Sequence, residues 1–323
     1  MGARRLGGLR HPWLLLCAGL LALLSVLLPH MDALLGGRLP LVQALLPIIC
    51  LALLLLGILA LVLRGRAAGM ILIAGALLTA LPLLIPFAHT STAHPGAQLR
   101  IFSLNVQHSE ADIRQISDVI INNDVGVVVL AEANEQFITG VRNSAADQML
   151  RYRTGKVTPG DASGTVILSR YPLTPQEPIS GFGMDASFDQ PVTVVNHPKL
   201  GALRLAGIHT QPPVVDRAIS WKQSLEQLEA WSNDNRNLPL IIAGDFNASQ
   251  GHPAYRSLAK QFTDSAVAAG IFPLPTWPSS LPFTAIDHIL VTDFCPHSWE
   301  RIDIAGSDHR GVLASVSQGQ CVD

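Results

Sequence analysis

Three long apolar runs occupy the first 88 residues of the 323-residue chain and limit the folds that this part can adopt. The runs cover about residues 12–28, 41–63 and 67–88, and none of them contains a charged side chain. The second and third are long enough to cross the apolar layer of a bilayer, and the first is close to that length. Because the runs lack the polar face of a soluble helix, three buried core helices are the weaker interpretation. The sequence therefore predicts a membrane region, residues 1–88, with three transmembrane helices.

A signal peptide is the alternative interpretation of the first run, because Arg4, Arg5 and Arg10 precede it. No small-x-small cleavage site follows this run, whereas two further apolar runs follow it. A membrane anchor is therefore favoured over a signal peptide. Arg64 and Arg66 lie between the second and third runs. The positive-inside rule then places the N-terminus and the second loop in the cytoplasm. Three crossings put everything after about residue 90 outside.

The residues after the membrane region differ in composition. A small polar stretch, 89–98, is typical of a linker, residues 99–318 have the length of one α/β domain, and 319–323 form a short tail. Six of the 22 Lys and Arg residues but only one of the 24 Asp and Glu residues precede the linker, which leaves the rest with a formal charge of about −7. Because proteins that grip the DNA backbone carry a basic face, nucleic acid is a possible but not a favoured partner. No protein partner is evident.

Apolar, β-branched runs that are typical of strands recur through this domain. They lie at 99–106, 125–131, 164–168, 191–196, 203–209, 238–243, 286–291, 299–304 and 312–316. Helical patterns lie at 113–122, after a start signal at Ser109–Asp112, and at 214–232. Strands outnumber helices and do not alternate with them strictly. This favours two packed sheets flanked by helices over a Rossmann-like sheet.

Polar side chains lie at the ends of several predicted strands, where a rigid sheet can bring them together. They are Asn105, Glu132, His209, Asp245 and Asn247 of the GDFN run, Asp287, and Asp308 and His309 of the SDH run. Carboxylate and amide oxygens are ligands that Mg²⁺ prefers. A carboxylate–imidazole pair such as Asp287 and His309 can activate water or hold a phosphate. The set predicts metal-assisted hydrolysis of a phosphoester.

Each of these residues alone also has a structural interpretation. Glu132 could form a salt bridge, Asn105 could cap a turn, and Asp245 could form an Asx turn. A lone strand-end histidine such as His209 is more often a hydrogen-bonded structural residue. The number and order of the motifs favour function. The competing histidine, His288, should point away from its neighbour by strand alternation, and we assign it a structural role.

In this order and spacing, the motifs resemble those of the endonuclease/exonuclease/phosphatase superfamily over residues 99–317. The resemblance implies a four-layer α/β sandwich and a divalent cation, Mg²⁺ or alternatively Mn²⁺, bound by Asn105, Glu132 and Asp308. It assigns the handling of phosphate and water to His209, Asp245, Asn247, Asp287 and His309. The family's abasic-site endonucleases have a tyrosine at the position of His209, which argues against DNA repair.

An anchor of three apolar segments before such a domain is similar to membrane-anchored bacterial members of the superfamily, of the VanJ type. This resemblance implies a bacterial cell membrane, with the N-terminus in the cytoplasm and the catalytic domain outside it. The expected function is hydrolysis of a phosphoester or pyrophosphate, lipid-linked, at the outer face of the membrane. An anchored extracytoplasmic nuclease is the alternative hypothesis, and a non-catalytic phosphate-binding module is the third.

The sequence leaves two features open. Cys295 and Cys321 either form a disulfide in an oxidising exterior or remain free thiols, whereas Cys17 and Cys50 lie in apolar runs. Trp277, in the Pro-rich loop 270–283, either lines a substrate rim or stiffens the loop.

Overall fold

The structure is a computed structural model that describes residues 12–84, 96–146, 148–159, 163–179, 188–270, 274–319 and 321. The arginines before the first apolar run, residues 85–88 of the third run, most of the predicted linker 89–98 and part of the predicted tail 319–323 lie outside the described residues. The predicted domain boundaries therefore stay predictions.

Apolar helices form the described part of the predicted membrane region. They are α1 (Pro12–Leu27), α2 (Arg38–Ala44), α3 (Leu46–Val62) and α4 (Arg66–Leu84). The segments Pro12–His30 and Arg66–Leu84 are each long and apolar enough to cross a membrane. A third crossing is available if the segments Leu35–Ala44 and Leu46–Val62 count together as one span. The N-terminal region can thus cross a membrane two or three times.

The second apolar run is bent. Its two helical segments, on either side of Leu45, meet at an angle of 63°. Pro47 lies in the first turn of α3, a position that proline tolerates because the N–H it lacks would have no helical partner there. The structure therefore differs from a straight span over 41–63, since α3 begins at Leu46 and residues 41–44 belong to α2.

Small residues let the apolar helices approach closely. A Cβ at Gly75 of α4 would lie 2.6 Å from the Cβ of Ala22 in α1. A Cβ at Gly57 of α3 would lie 3.1 Å from the carbonyl oxygen of Gly69 in α4. Close contact through Gly and Ala is typical of helix packing in lipid, where burying apolar surface supplies no driving force.

Two six-stranded mixed sheets form the core of the rest of the described chain. The strands are β1 (Gln98–Asn105), β2 (Val127–Ala131), β3 (Tyr152–Arg153), β4 (Thr165–Ser169), β5 (Leu173–Pro175), β6 (Val192–His197), β7 (Gly201–His209), β8 (Leu240–Asp245), β9 (Thr263–Asp264), β10 (Asp287–Val291), β11 (Phe294–Asp303) and β12 (Arg310–Gln318). The strand order is β11-β12-β1-β2-β4-β3 in sheet one and β5-β6-β7-β8-β10-β9 in sheet two.

Helices cover the outer faces of both sheets. They are α5 (Ile113–Asn122), α6 (Glu135–Arg142), α7 (Ala218–Asp234) and α8 (Pro253–Ala259). The single turn α9 (Ser265–Ala268) instead contacts β10 and β11 beside the central core. Residues of α5 and α6 pack on sheet one: Ile116 and Ile138 belong to the same buried cluster as Leu104 of β1. Residues of α7 and α8 pack on sheet two, as Leu225 and Leu258 do. A central core between the sheets completes four layers. The predicted α/β sandwich is confirmed.

One predicted helix start is confirmed and another moves. The helix predicted at 113–122 spans Ile113–Asn122, and Asp112 of the predicted start signal caps it by accepting hydrogen bonds from the N–H groups of residues 114 and 115. The helix predicted from Val214 begins at Ala218, because Asp216 has a φ of 71°, outside the helical region.

A disulfide joins Cys295 to Cys321, with the two Cα atoms 4.8 Å apart. Cys295 lies at the start of the edge strand β11 and Cys321 follows the end of its neighbour β12, so the bridge joins the ends of two paired strands. Of the two states that the sequence left open, the structure has the bridged one. Cys17 and Cys50 are free.

An ion pair at the start of α6 gives a pH-dependent prediction. Both terminal nitrogens of Arg153 donate to the Glu135 carboxylate at 2.9 Å, and these hydrogen bonds lower the pKa of Glu135 from 4.5 to about 2. Because the folded-state pKa is depressed, the stabilisation is present above pH 4.5 and disappears as the pH falls towards 2. Glu135→Gln should lower stability near pH 7 by up to about 1 kcal/mol, as for a partly exposed pair.

Thermal unfolding of wild type and Glu135→Gln between pH 2 and pH 8 measures this effect. The two curves should converge at the acidic end, whereas the exposed Glu177→Gln should follow the wild type throughout. A difference that stays constant down to pH 2 would contradict the ion-pair explanation.

Candidate active site

The register of sheet two places three predicted site residues in one row. His209 pairs with Asp245 across the parallel strands β7 and β8, and Asp287 pairs with Asp245 across the antiparallel strands β8 and β10. Paired residues on neighbouring strands project to the same side of a sheet. The three side chains are at most 2% exposed, so they form a buried polar row at one end of the sandwich.

Sheet one contributes residues to the same site. Asn105, the last residue of β1, pairs with Ala131 at the end of β2, and Glu132 follows directly. The amide nitrogen of Asn105 donates to Glu132 Oε1 at 3.0 Å and to Asp245 Oδ2 at 3.1 Å. Asn105 thus joins the strand ends of the two sheets, which are 140 residues apart in sequence at this contact.

A left-handed turn holds Glu132 in place. Gln107, His108 and Ser109 all have positive φ angles, and so does Glu132 itself, with a φ of 58°. The backbone N–H of His108 donates to Glu132 Oε2 at 2.9 Å. The backbone N–H of Gln107 donates to Asn105 Oδ1. Strained backbone of this kind persists where the surrounding structure fixes it, and it often marks functional sites.

Asp287 and His309 form the predicted carboxylate–imidazole pair. The two oxygens of Asp287 lie 3.0 and 3.2 Å from His309 Nδ1. The other ring nitrogen, Nε2, lies 3.7 Å from Asp245 Oδ2. Ser307 fixes the approach of the SDH run, because its hydroxyl donates to the Asn105 carbonyl and accepts from the His309 N–H. The ring is thereby oriented with Nε2 towards the centre of the site.

Charge and burial set the protonation states of this centre. Burial raises the pKa of Asp245 from 3.8 to about 7; the charge of His309 lowers it and that of Asp287 raises it further. Burial alone would lower the pKa of His309, but the carboxylates of Asp287 and Asp245 outweigh it and raise this pKa to about 10. Near neutral pH, His309 is therefore cationic, and the Asp245 carboxyl has a pKa suited to a general base.

His209 is buried and neutral. Burial, helped by the charge of His309, lowers the pKa of its ring to about 3. Its Nε2 lies 3.7 Å from Glu132 Oε1 and 3.8 Å from Asp245 Oδ2, and its Nδ1 has no hydrogen-bond partner among the described residues. The ring therefore offers a neutral N–H to the site. A ring with so low a pKa suits donation of a hydrogen bond better than donation of a proton.

Asn247 has partners for its side-chain amide within the protein. Its amide nitrogen donates to the Thr210 carbonyl at 2.8 Å and lies 3.4 Å from Asp245 Oδ2. Its backbone N–H donates to Asp245 Oδ1 at 2.8 Å, which makes the Asx turn that was the structural interpretation of this motif. In this geometry Asn247 positions Asp245.

Asp308 lies at the edge of the cluster, with its side chain 43% exposed. Its Oδ2 accepts a hydrogen bond from the indole N–H of Trp277 at 3.1 Å, and its Oδ1 is 4.0 Å from His309 Nε2. Trp277 therefore contacts the site rim, which supports the first of the two roles that the sequence left open for it.

The donor set fits a hard divalent cation. Asp245, Asp287 and His309 each offer one ligand atom, and these atoms lie within 4.8 Å of one another. Among the described residues, no Lys or Arg forms an ion pair with Glu132, Asp245 or Asp287. Asp245 and Asp287 face the cationic His309, whereas Glu132 has no Lys or Arg partner among the described residues. A carboxylate in that position favours a bound metal ion, and oxygen ligands favour Mg²⁺ or Mn²⁺.

Sequence reasoning missed three residues that shape the site. His108 contacts Glu132 through its backbone and lies 3.6 Å from it through its ring. The Gln190 side chain hydrogen-bonds both the N–H and the carbonyl of His209, and the Phe188 ring lies 4.2 Å from the His209 ring between centroids. None follows a strand-end motif, so their roles depend on tertiary contacts that no local pattern indicates.

The residues of this site lie within a stretch that matches a known family. Residues 102–309 match the model of the "Endonuclease/Exonuclease/phosphatase family". The chain belongs to this family. The match spans the strand ends that carry Asn105, Glu132, His209, Asp245 and His309. A search of curated proteins gave no match.

Solved structures share the fold. An endonuclease/exonuclease/phosphatase from Beutenbergia cavernae is 20% identical, with a TM-score of 0.55 over 69% of this chain and 72% of its own. Sphingomyelinase C from Streptomyces griseocarneus is 17% identical, with a TM-score of 0.51 over 68% of this chain and 99% of its own. A mannosyl-6-phosphatase from Bacteroides thetaiotaomicron is 17% identical, with a TM-score of 0.52 over 68% of this chain and 99% of its own. At these identities the similarity shows the fold alone.

Proposed function

We propose that this protein is a membrane-anchored phosphoesterase that uses a divalent metal ion to hydrolyse a phosphoester or pyrophosphate, with a lipid-linked substrate favoured. One observation carries the proposal: the strand ends of both sheets bring three carboxylates, an amide and two imidazoles into one cluster. Family membership supports the reaction class.

Glu132 is our first candidate for holding the ion, with Asp308 at the rim and Asn105 beside them. In this conformation the amide nitrogen of Asn105 faces the carboxylates, so Asn105 orients the Glu132 oxygen. A bound Mg²⁺ or Mn²⁺ would supply charge to stabilise the phosphoryl oxygens as negative charge develops on them.

The protonation states of the site residues indicate which of them accepts a proton and which donate hydrogen bonds to the substrate. Asp245, with a pKa of about 7, accepts the proton of the attacking water. His309 is cationic and held by Asp287, and its Nε2–H donates to a phosphoryl oxygen. The neutral His209 N–H donates a second hydrogen bond from the other side of Asp245.

The substrate class is tested by comparing three compounds on the purified full chain with Mg²⁺. Undecaprenyl pyrophosphate and sphingomyelin represent lipid-linked pyrophosphates and phosphodiesters, and plasmid DNA represents nucleic acid. Turnover of either lipid supports the proposal, while turnover of plasmid alone supports an anchored nuclease. The acidic charge of the chain after residue 97 favours the first outcome.

Metal dependence gives the next prediction. Removal of divalent ions with EDTA should abolish hydrolysis of the soluble diester bis(p-nitrophenyl) phosphate, and Mg²⁺ or Mn²⁺ should restore it. Glu132→Gln should raise the Mg²⁺ concentration for half-maximal activity by about 10–100-fold, because it removes a charged oxygen beside the ion. Asp118→Asn, an exposed carboxylate on α5, is the matched control and should leave this concentration unchanged.

Retention of activity in EDTA would reject the metal-dependent mechanism. An unchanged Mg²⁺ requirement in Glu132→Gln would reject Glu132 as the residue that holds the ion.

A further inference from the structure

The connection between α1 and α3 packs on the catalytic domain. We define this connection, residues 28–44, as the docking segment. His252 is fully buried, and burial lowers its pKa to about 4, so its ring is neutral. Its Nδ1 accepts from the Ser249 N–H, and its Nε2 lies 2.9 Å from the carbonyl oxygen of Pro40. The guanidinium of Arg256 donates to the carbonyl of Pro29. The start of α8 therefore binds the docking segment at two points.

Close backbone contacts fix the same interface. A Cβ at Gly37 would lie 2.6 Å from the carbonyl oxygen of Val214, and a Cβ at Gly251 would lie 2.3 Å from that of Gln43. These approaches leave no room for a side chain at either glycine. Lys222 of α7 also forms an ion pair with Asp32. The docking segment is thus held by α7, by the start of α8 and by the loop before α7.

This interface places one face of the catalytic domain next to the membrane helices. The docking segment is continuous with α1 at one end and with α3 at the other. Met31, four residues after the end of α1, can lie at most about 14 Å from it along the chain. Whatever the docking segment contacts is therefore close to the membrane surface, if α1 and α3 cross.

Exposed apolar side chains border the interface on this face. Val214, Val215 and Ile219 are 38%, 48% and 62% exposed, and Met31 and Leu35 of the docking segment are 42% and 61% exposed. We define these five residues as the apolar rim. Val214 contacts the docking segment directly at Gly37, and the turn Leu35–Gly37 contacts α7, which contains Ile219. The apolar rim therefore combines residues of the docking segment with residues of α7 and of the loop before it.

The apolar rim begins a few residues from the catalytic cluster. The backbone N–H of Thr210 donates to the Asp245 carbonyl at 3.1 Å, so this segment leaves directly from the site. Val214 follows His209 by five residues and can lie at most about 18 Å from it. A lipid headgroup layer is about 5–8 Å thick per leaflet. The maximum separation of Val214 and His209 is therefore comparable with the thickness of that layer plus a substrate phosphate.

We propose that the apolar rim rests in the lipid surface of the membrane that α1, α3 and α4 cross, so that the catalytic cluster faces the headgroups of that leaflet. The site then takes a phosphoester or pyrophosphate carried on a lipid of the same membrane. Apolar side chains gain free energy on entering the acyl boundary, and the docking segment keeps them there. The substrate part of this inference rests on the proposed function, whereas the membrane contact does not.

An environment-sensitive fluorophore tests the contact without reference to activity. The label NBD is attached to Val215→Cys in the full chain with Cys17→Ser and Cys50→Ser, reconstituted in vesicles of phosphatidylcholine and phosphatidylglycerol. We expect a blue-shifted emission that doxyl-labelled lipids quench. Ile121→Cys, which is 39% exposed on α5 over the opposite sheet, is the matched control and should show neither effect.

The outcomes separate the two proposals. Emission at position 215 as in water, or a blue shift that doxyl lipids do not quench, overturns the membrane contact, and the second result would indicate a second copy of the chain on the apolar rim. Hydrolysis of bis(p-nitrophenyl) phosphate by the same samples reports the proposed function independently. A quenched label without hydrolysis keeps the contact and rejects the function, and turnover of plasmid DNA alone by active samples rejects the lipid substrate.

Discussion

Asp245→Asn is expected to reduce kcat/KM for a soluble phosphodiester by about 10²–10⁴-fold while the protein remains folded. Asp245 is the one carboxylate that lies within 3.8 Å of both imidazoles of the cluster, His209 and His309, among the described residues. The asparagine keeps the size of the side chain but cannot accept a proton from water. Steady-state kinetics with bis(p-nitrophenyl) phosphate at saturating Mg²⁺ measures the loss.

Stability should respond in a different way from activity. Burial raises the pKa of Asp245 above its unfolded value of 3.8 to about 7, so the folded state favours the protonated form. The metal-free protein should therefore lose stability as the pH rises from about 4 through about 7. In EDTA at pH 8, Asp245→Asn should unfold at or above the temperature of the wild type.

Asp118→Asn is the control for both measurements. A loss of activity of less than tenfold in Asp245→Asn, with folding intact, would remove Asp245 from the role of general base. A large drop in unfolding temperature would instead show that the carboxylate supports the fold.

Gly244→Ala is expected to prevent accumulation of folded protein. A Cβ at this position would lie 1.8 Å from the carbonyl oxygen of Ile208, on the neighbouring strand β7, and Gly244 has a φ of +151°. Both atoms in the collision belong to paired strands at the centre of sheet two, so neither can move without breaking the pairing. We expect destabilisation of more than about 4 kcal/mol, which marks the severe end of single substitutions.

Substitutions at two other glycines distinguish the effect of the steric collision from the effect of backbone strain. Gly201 has a φ of +75° but open space around its Cβ position, and Gly201→Ala should cost about 1 kcal/mol. Gly155 has open space and no positive φ, and Gly155→Ala should be neutral. Yield and apparent unfolding temperature in detergent should rank the three variants in this order. A Gly244→Ala protein as stable as Gly155→Ala would contradict the packing at the β7–β8 contact.

The sequence predicted the central strands because their signal is local. β2, β4 and β8 are mostly apolar and buried along their whole length, and a strand buried on both faces leaves that pattern wherever it occurs. The short elements α6, α8, α9, β3, β5 and β9 were missed, since eight or fewer residues give little periodicity. The predicted helix start at Val214 was wrong. The turn at Asp216 does not interrupt the spacing of the apolar residues, so the sequence pattern gave no sign of it.

The residues of the candidate site likewise fall into those that sequence motifs predicted and those that only tertiary contacts identify. The strand-end motifs indicated Asn105, Glu132, His209, Asp245, Asp287 and His309, and the structure brings these six together. Asp308 lies at the rim, and Asn247 supports the turn after β8. The supporting contacts of His108, Phe188 and Gln190 join residues that are distant in sequence, so no motif indicates them.

By itself the sequence determined the apolar N-terminal segments, the sandwich class and the residue types of the site, because each follows from composition or spacing along a few residues. Only the tertiary structure decided which of these residues meet, their charge states, the Cys295–Cys321 bridge and the packing of residues 28–44 on the catalytic domain. Strand register and burial set those properties. Both depend on contacts between residues tens to more than two hundred positions apart, such as His252 with Pro40, and a linear pattern does not record them.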